Sequence, residues 1–284
     1  MAFKAVLASV LTSAVLVGCG GSDSGSPSFS KFSASEFTKL ANSSSISGTW
    51  VAVASGSSKS VYNDGFWEER DFSRKAFFVI KENNEQYSIS SCNSGFNTVT
   101  YSSLENTIQL SFSNGYGYLL TVENNNYISG SMGDSDVDGD GDYNQYDYEY
   151  VKVSDSVAGL GEVSADWSGS STSADTVDDI FALCLENISE VDSDGDTSQY
   201  LEAEIGIETY NRYVELRKGN YYGESEEYVF VSGDRDTVSE SSYWGGNANV
   251  EYSQTASTFT ATANATENSG ESVSVVISAK LPAQ

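Results

Sequence analysis

Histidine is absent from this chain of 284 residues, and proline occurs only at Pro27 and Pro282. Without imidazole there is no Ser-His-Asp or Cys-His pair, no His-Glu-x-x-His zinc site, and no unperturbed side chain that changes charge near neutrality. Chemistry resting on carboxylates alone, such as glycoside hydrolysis, passes that filter. Positive charge is scarce too: 14 Lys and Arg stand against 41 Asp and Glu, for a net charge of −27. Neutralising a phosphate backbone takes a basic patch, so nucleic acid is excluded as a partner. Anionic headgroups repel the body of the chain for the same reason. Cations, cationic partners and neutral glycans remain.

Long apolar runs are missing as well. The longest, Ala5 to Val17, is uncharged but falls short of the roughly 20 residues needed to span a bilayer. It follows Lys4 and ends in small residues, which reads as a secretory segment. The tetrad Leu16-Val17-Gly18-Cys19 resembles the bacterial lipobox. That resemblance implies a signal peptide over residues 1–18, lipidation of Cys19 and membrane contact through the lipid anchor only. Gly20, where Asp favours inner-membrane retention in such lipoproteins, implies the outer membrane, with the periplasmic or cell-surface face left open. Residues 19–45 read as a lipid-anchored flexible tether, rich in Gly and Ser.

Two cysteines remain after the anchor, Cys92 and Cys184. In an oxidising compartment an even pair reads as a disulfide. The body has aromatics enough for a core, at 12% of the chain. From Gly48 onward, β-prone segments such as Thr49–Ala54, Ala76–Lys81, Tyr118–Glu123 and Tyr146–Val153 alternate with Gly, Asn and Ser turns. The second half repeats the pattern at Leu201–Ile207, Tyr213–Arg217, Tyr228–Ser232, Thr258–Ala263 and Val273–Ala279. The expected fold is all-β, with two antiparallel sandwich or barrel-like units over 46–157 and 158–284, or a single large sandwich, since the Cys92–Cys184 bridge would staple the two together. A junction is expected over Ser154–Ser170 and a loop over 171–176. Near 176–186 two readings are open: Val177, Ile180, Phe181 and Cys184 fit a short helix, and Ala182–Ile188 fits a strand. Gly48-Thr49-Trp50, opening the first strand of a meander, resembles the Gly-x-Trp that starts lipocalin-type barrels. Three residues carry that likeness.

The most informative internal feature is a repeated acidic segment, Asp138-Gly-Asp-Gly-Asp142 through Tyr146 and Asp192-Ser-Asp-Gly-Asp196 through Tyr200. Calcium takes six to eight oxygens at about 2.3–2.6 Å, and alternating Asp on a tight loop can converge on one ion. Counted from Asp136, the first loop places Asp136, Asp138, Asp140, Asp142, Asn144 and Asp147 at ligand positions. This resembles an EF-hand-type loop without flanking helices, and Asp147 stands where Glu is usual. The second offers Glu190, Asp192, Asp194 and Asp196, and Leu201 at its last position cannot ligate. The alternative for both is a solvated hairpin tip. Trp67 and Trp244, beside polar turn residues, are candidates for stacking a sugar ring, against the commoner reading of large aromatics as core residues at strand ends. Tyr146, Tyr148 and Tyr150 alternate onto one strand face, as core packing or an aromatic strip. Among Glu68, Glu69, Asp71, Glu202, Glu204, Glu224, Glu226 and Glu227 the sequence singles out no catalytic pair.

The function expected is therefore a binding or structural module rather than an enzyme: an outer-membrane lipoprotein with calcium-stabilised loops, for a glycan, polymer or protein partner. A lipocalin-like carrier of a small apolar ligand is the alternative, with a carboxylate-based glycoside hydrolase behind it.

Overall fold

A computed structural model describes residues 32–40, 45–62, 64–84, 86–92, 95–104, 107–112, 117–124, 127–134, 143–168, 173–207, 213–235, 238–246, 248–255, 257–266 and 272–282. Cys19 and the whole leader and tether before Phe32 lie outside them, as do Asp136, Asp138, Asp140 and Asp142.

The described chain is almost entirely strand. After a single 3-10 turn, Ala34–Glu36, come β1 (Gly48–Val61), β2 (Trp67–Asn83), β3 (Gln86–Ser91) and β4 (Gly95–Leu104). Next are β5 (Thr107–Phe112), β6 (Gly117–Asn124), β7 (Tyr127–Asp134), β8 (Tyr143–Ser154) and β9 (Gly161–Ser168). The remainder holds β10 (Ser173–Asp192), β11 (Thr197–Ile207), β12 (Tyr213–Tyr221), β13 (Glu224–Arg235) and β14 (Val238–Gly246). The last three are β15 (Asn249–Gln254), β16 (Thr258–Thr266) and β17 (Ser272–Lys280). All belong to one antiparallel sheet. Strands β1 to β8 pair in succession, and β8 returns to pair with β1 from Thr49 to Lys59. Among the described residues the sheet as a whole is not closed into a barrel.

The halves of the chain meet in the middle of that sheet. Strand β10 lies between β2 and β11, pairing Phe78 with Ala182 and Glu68 with Asp192 along its second half. Its first half leaves β2 and pairs with β9 instead. Ser90 fills the fork, with its Oγ accepting from the Val79 N–H at 2.8 Å and donating to the Phe181 carbonyl at 2.6 Å. Ladder bonds therefore run straight across the expected boundary near 157/158.

Two expectations are corrected. The helical alternative over 176–186 does not form, because those residues belong to β10, which has strand neighbours to bond on both sides. The junction over 154–170 contains β9, and the loop over 171–176 runs into β10 at Ser173. Strand β9 alternates buried Val163 and Ala165 with polar Glu162, Ser164 and Asp166, a pattern easily taken for a linker.

Alternation decides what each face of the shared strands does. Val51, Phe77, Val151, Leu183, Leu185 and Ile205 project to one side and join the large apolar core completed by β9, β12, β13 and β15 to β17. Their immediate neighbours project to the other side, where the packing is different.

Candidate ligand-binding cleft

Cross-strand register on that second face sets two rows side by side. One runs Tyr150, Ala52, Ala76, Cys184, Glu204, Glu215, Phe230 and Trp244, from β8 across to β14. The next runs Tyr148, Ala54, Arg74, Glu186, Glu202, Arg217 and Tyr228. Where the opposite face carries Val and Leu, β1 and β2 here carry Ala52, Ala54 and Ala76. The missing side-chain volume leaves a cleft of about 470 Å³. That lies inside the range of about 300–1,000 Å³ usual for small-molecule sites.

The three alanines form the floor of the cleft, and Tyr146, Tyr148 and Tyr150 form one wall. The Tyr148 and Tyr150 rings stack at 5.3 Å between centroids, and Phe78 meets Tyr150 edge-on at 5.9 Å. Cys92 and Cys184 are disulfide-bonded, with Cα atoms 5.9 Å apart, and the bridge lines the deep end beside Ile89. Gly206 admits that crossing: a Cβ there would meet the Ser91 carbonyl oxygen at 2.0 Å. Trp50 is fully buried in the same cluster as Phe78, with its indole N–H donating to the Ile46 carbonyl at 2.8 Å.

The opposite wall is charged. An Arg70 Nη donates to Glu186 at 2.9 Å, and Arg74 donates to Glu204 at 2.9 Å while its Nε stands 3.8 Å from Glu186. Further along the rows, Arg217 donates to Glu202 at 2.9 Å and sits 3.5 Å from Glu215. Glu190 accepts from the Tyr200 hydroxyl at 3.0 Å. Five carboxylates thus share three guanidinium groups in one half-buried layer. Burial pushes the Glu186 and Glu204 carboxyls above the ordinary range against the pull of Arg74. Burial, reinforced by Glu202, pushes Glu215 up to about 7.

Most residues singled out in the sequence fall elsewhere. Trp67 is half-buried at the start of β2, with the Lys59 ammonium 4.4 Å over its ring. Trp244 stands opposite Phe230, and its side chain is outside the described residues. Asn144 and Asp147 both lie on β8, and three residues along a strand put them on opposite faces. Asn144 lines the cleft. The second acidic loop is a tight hairpin tip, in which an Asp192 carboxylate oxygen accepts from the N–H groups of Asp194 and Asp196, both at 2.9 Å. Gly195 turns it with φ of +85°. Among the described residues no group of three or more Cys, Asp or Glu is arranged to hold a metal ion.

Of the carboxylates named from sequence, Glu190, Glu202 and Glu204 enter the charged layer. Glu186, Glu215 and the three arginines were missed, and no local signal marks them. The tyrosine alternation, the Cys92–Cys184 pair and Asn144 all fall on the cleft. Compared with protein-family models, with curated proteins and with solved structures, the chain matches none.

Proposed function

We propose that this protein is an envelope lipoprotein that binds a small amphipathic molecule in the cleft between the tyrosine wall of β8 and the arginine–glutamate wall of β2 and β10. The observation that carries the reading is the alanine floor, which leaves a volume suited to a small molecule rather than to a polymer or a folded partner. Apolar and aromatic groups around a few placed polar ones are the usual composition of such sites. Among the readings open from the sequence, this favours the lipocalin-like carrier over the glycan or protein binder. The return of β8 onto β1, with Gly48 and Trp50 at the start of β1, supports the same choice. Lipidation at Cys19 and the outer-membrane address rest on the lipobox resemblance. Calcium is proposed for Asp136 to Asp142 only, on the ligand pattern of the sequence.

The test is a titration of the unlipidated chain, starting at Gly20, with the neutral fluorescent probe N-phenyl-1-naphthylamine. Saturable one-site binding that Ala54→Phe abolishes is the expected result. Binding that persists unchanged in the filled variant removes the cleft as the site.

A further inference from the structure

We infer that the cleft selects an uncharged amphiphile, seating an apolar body at the disulfide end and an oxygen acceptor of its head group at Arg70. The inference rests on the cleft being the ligand site. Polarity changes along its length. The Ala52 and Ala76 end is bounded by Phe78, Ile89 and the disulfide, and the Ser58 end by Asn144 and Arg70. From Ala52 to Ser58 is six residues of strand, about 20 Å. An occupant lying along it has one apolar end and one polar end.

Arg70 shows which kind of polar group is wanted. Its Nη is taken by Glu186, but its buried Nε has no hydrogen-bond partner among the described residues, and a Glu190 carboxylate oxygen stands 3.8 Å away. A buried N–H left without an acceptor is costly, so an incoming acceptor atom relieves that cost. An anionic head is the wrong acceptor. The layer already holds Glu186, Glu190, Glu202, Glu204 and Glu215 against Arg70, Arg74 and Arg217. The whole chain, at −27, repels anions on approach. An ammonium head is attracted by that excess of carboxylates but has no acceptor atom to offer the Arg70 Nε, and at the wall it meets the guanidinium groups of Arg70 and Arg74, with Glu186 already held by both. An ester, alcohol or amide oxygen accepts the N–H without adding charge.

Three ligands with one tail separate the cases: monodecanoylglycerol, decanoate and decylamine, each displacing N-phenyl-1-naphthylamine from the chain starting at Gly20. The expected order puts the neutral glyceride at least about tenfold ahead of both charged analogues, the worth of one well-made hydrogen bond. Arg70→Lys keeps the positive charge facing Glu186 and removes the Nε donor. It should weaken the glyceride about tenfold more than it weakens the probe, which has no oxygen acceptor. Equal or tighter displacement by decanoate or decylamine overturns the neutral-head inference while leaving the cleft as the site. An unaltered glyceride affinity in Arg70→Lys overturns it too. Absence of saturable probe binding removes the cleft reading itself.

Discussion

The two faces of the shared strands are built from alternate residues of the same segments and do opposite things. On one, Val51, Phe77, Leu183, Leu185 and Ile205 are fully buried and interlock with the core of the second half. On the other, Ala52, Ala54, Ala76, Arg74 and Glu186 leave a cleft and a layer of paired charges. Backbone geometry is common to both, so side-chain size and charge alone make one side a core and the other a site. Tyr148, only 5% exposed, shows that the cleft face is still packed around its edges.

The disulfide belongs to the cleft face, and removing it is the largest break available. The bridge closes a loop over 92 residues of sequence separation. Cys92→Ala with Cys184→Ala should cost roughly 4–5 kcal/mol in the chain-entropy account, read as a fall in urea midpoint. Probe binding should weaken along with it, because the deep end loses its wall. On the core face, Leu185→Ala should cost about 2–5 kcal/mol by the same measurement, with probe affinity retained in what remains folded. A loss of binding out of proportion to unfolding would mean the two faces are not separable.

The charged layer gives a pH test. Glu215 is raised to about 7 in the fold, above its unfolded value, so the folded state holds more protons between the two. The stability it contributes is present at low pH and is lost as pH rises through about 7. Glu186 and Glu204, also raised, act in the same direction. Melting temperature should therefore climb on acidification from above 7 toward the unfolded carboxylate range, and Glu215→Gln should flatten the slope. An unchanged slope in that variant would assign the effect to the general relief of a charge of −27. The smallest expected effect is calcium at the first acidic loop. Ion at about tenfold its dissociation constant adds roughly 1.4 kcal/mol, and Asp138→Ala with Asp140→Ala should abolish the rise in melting temperature. An equal rise with magnesium would make the loop a charged tip.

What could be read without coordinates followed local periodicity. Turn residues and alternation gave the all-β class, and the even cysteine pair, read in the oxidising compartment that the lipobox resemblance implies, gave the Cys92–Cys184 bridge. Strand β10 was ambiguous for a physical reason. It changes partners at Ile180, where its register shifts, so Ile180, Phe181, Ala182 and Leu183 are all buried and the two-residue period vanishes. The charged layer was illegible because its members lie far apart: Arg74 meets Glu204 across 130 residues. Register alone places them together, and register comes from the whole sheet. The second acidic loop was read for its carboxylates, whereas Asp192 spends its oxygen on two backbone N–H groups.

The claim that neighbouring residues build a filled core on one side and an open cleft on the other has a direct test. Val51→Phe and Ala54→Phe place the same ring three residues apart on β1, and urea unfolding of each against the native chain compares the faces. The account predicts that Val51→Phe costs about 1–3 kcal/mol or more, as overpacking does, while Ala54→Phe stays within about 1 kcal/mol. Equal costs at the two positions would mean that the face lined by Ala52, Ala54 and Ala76 is already filled, and would contradict it.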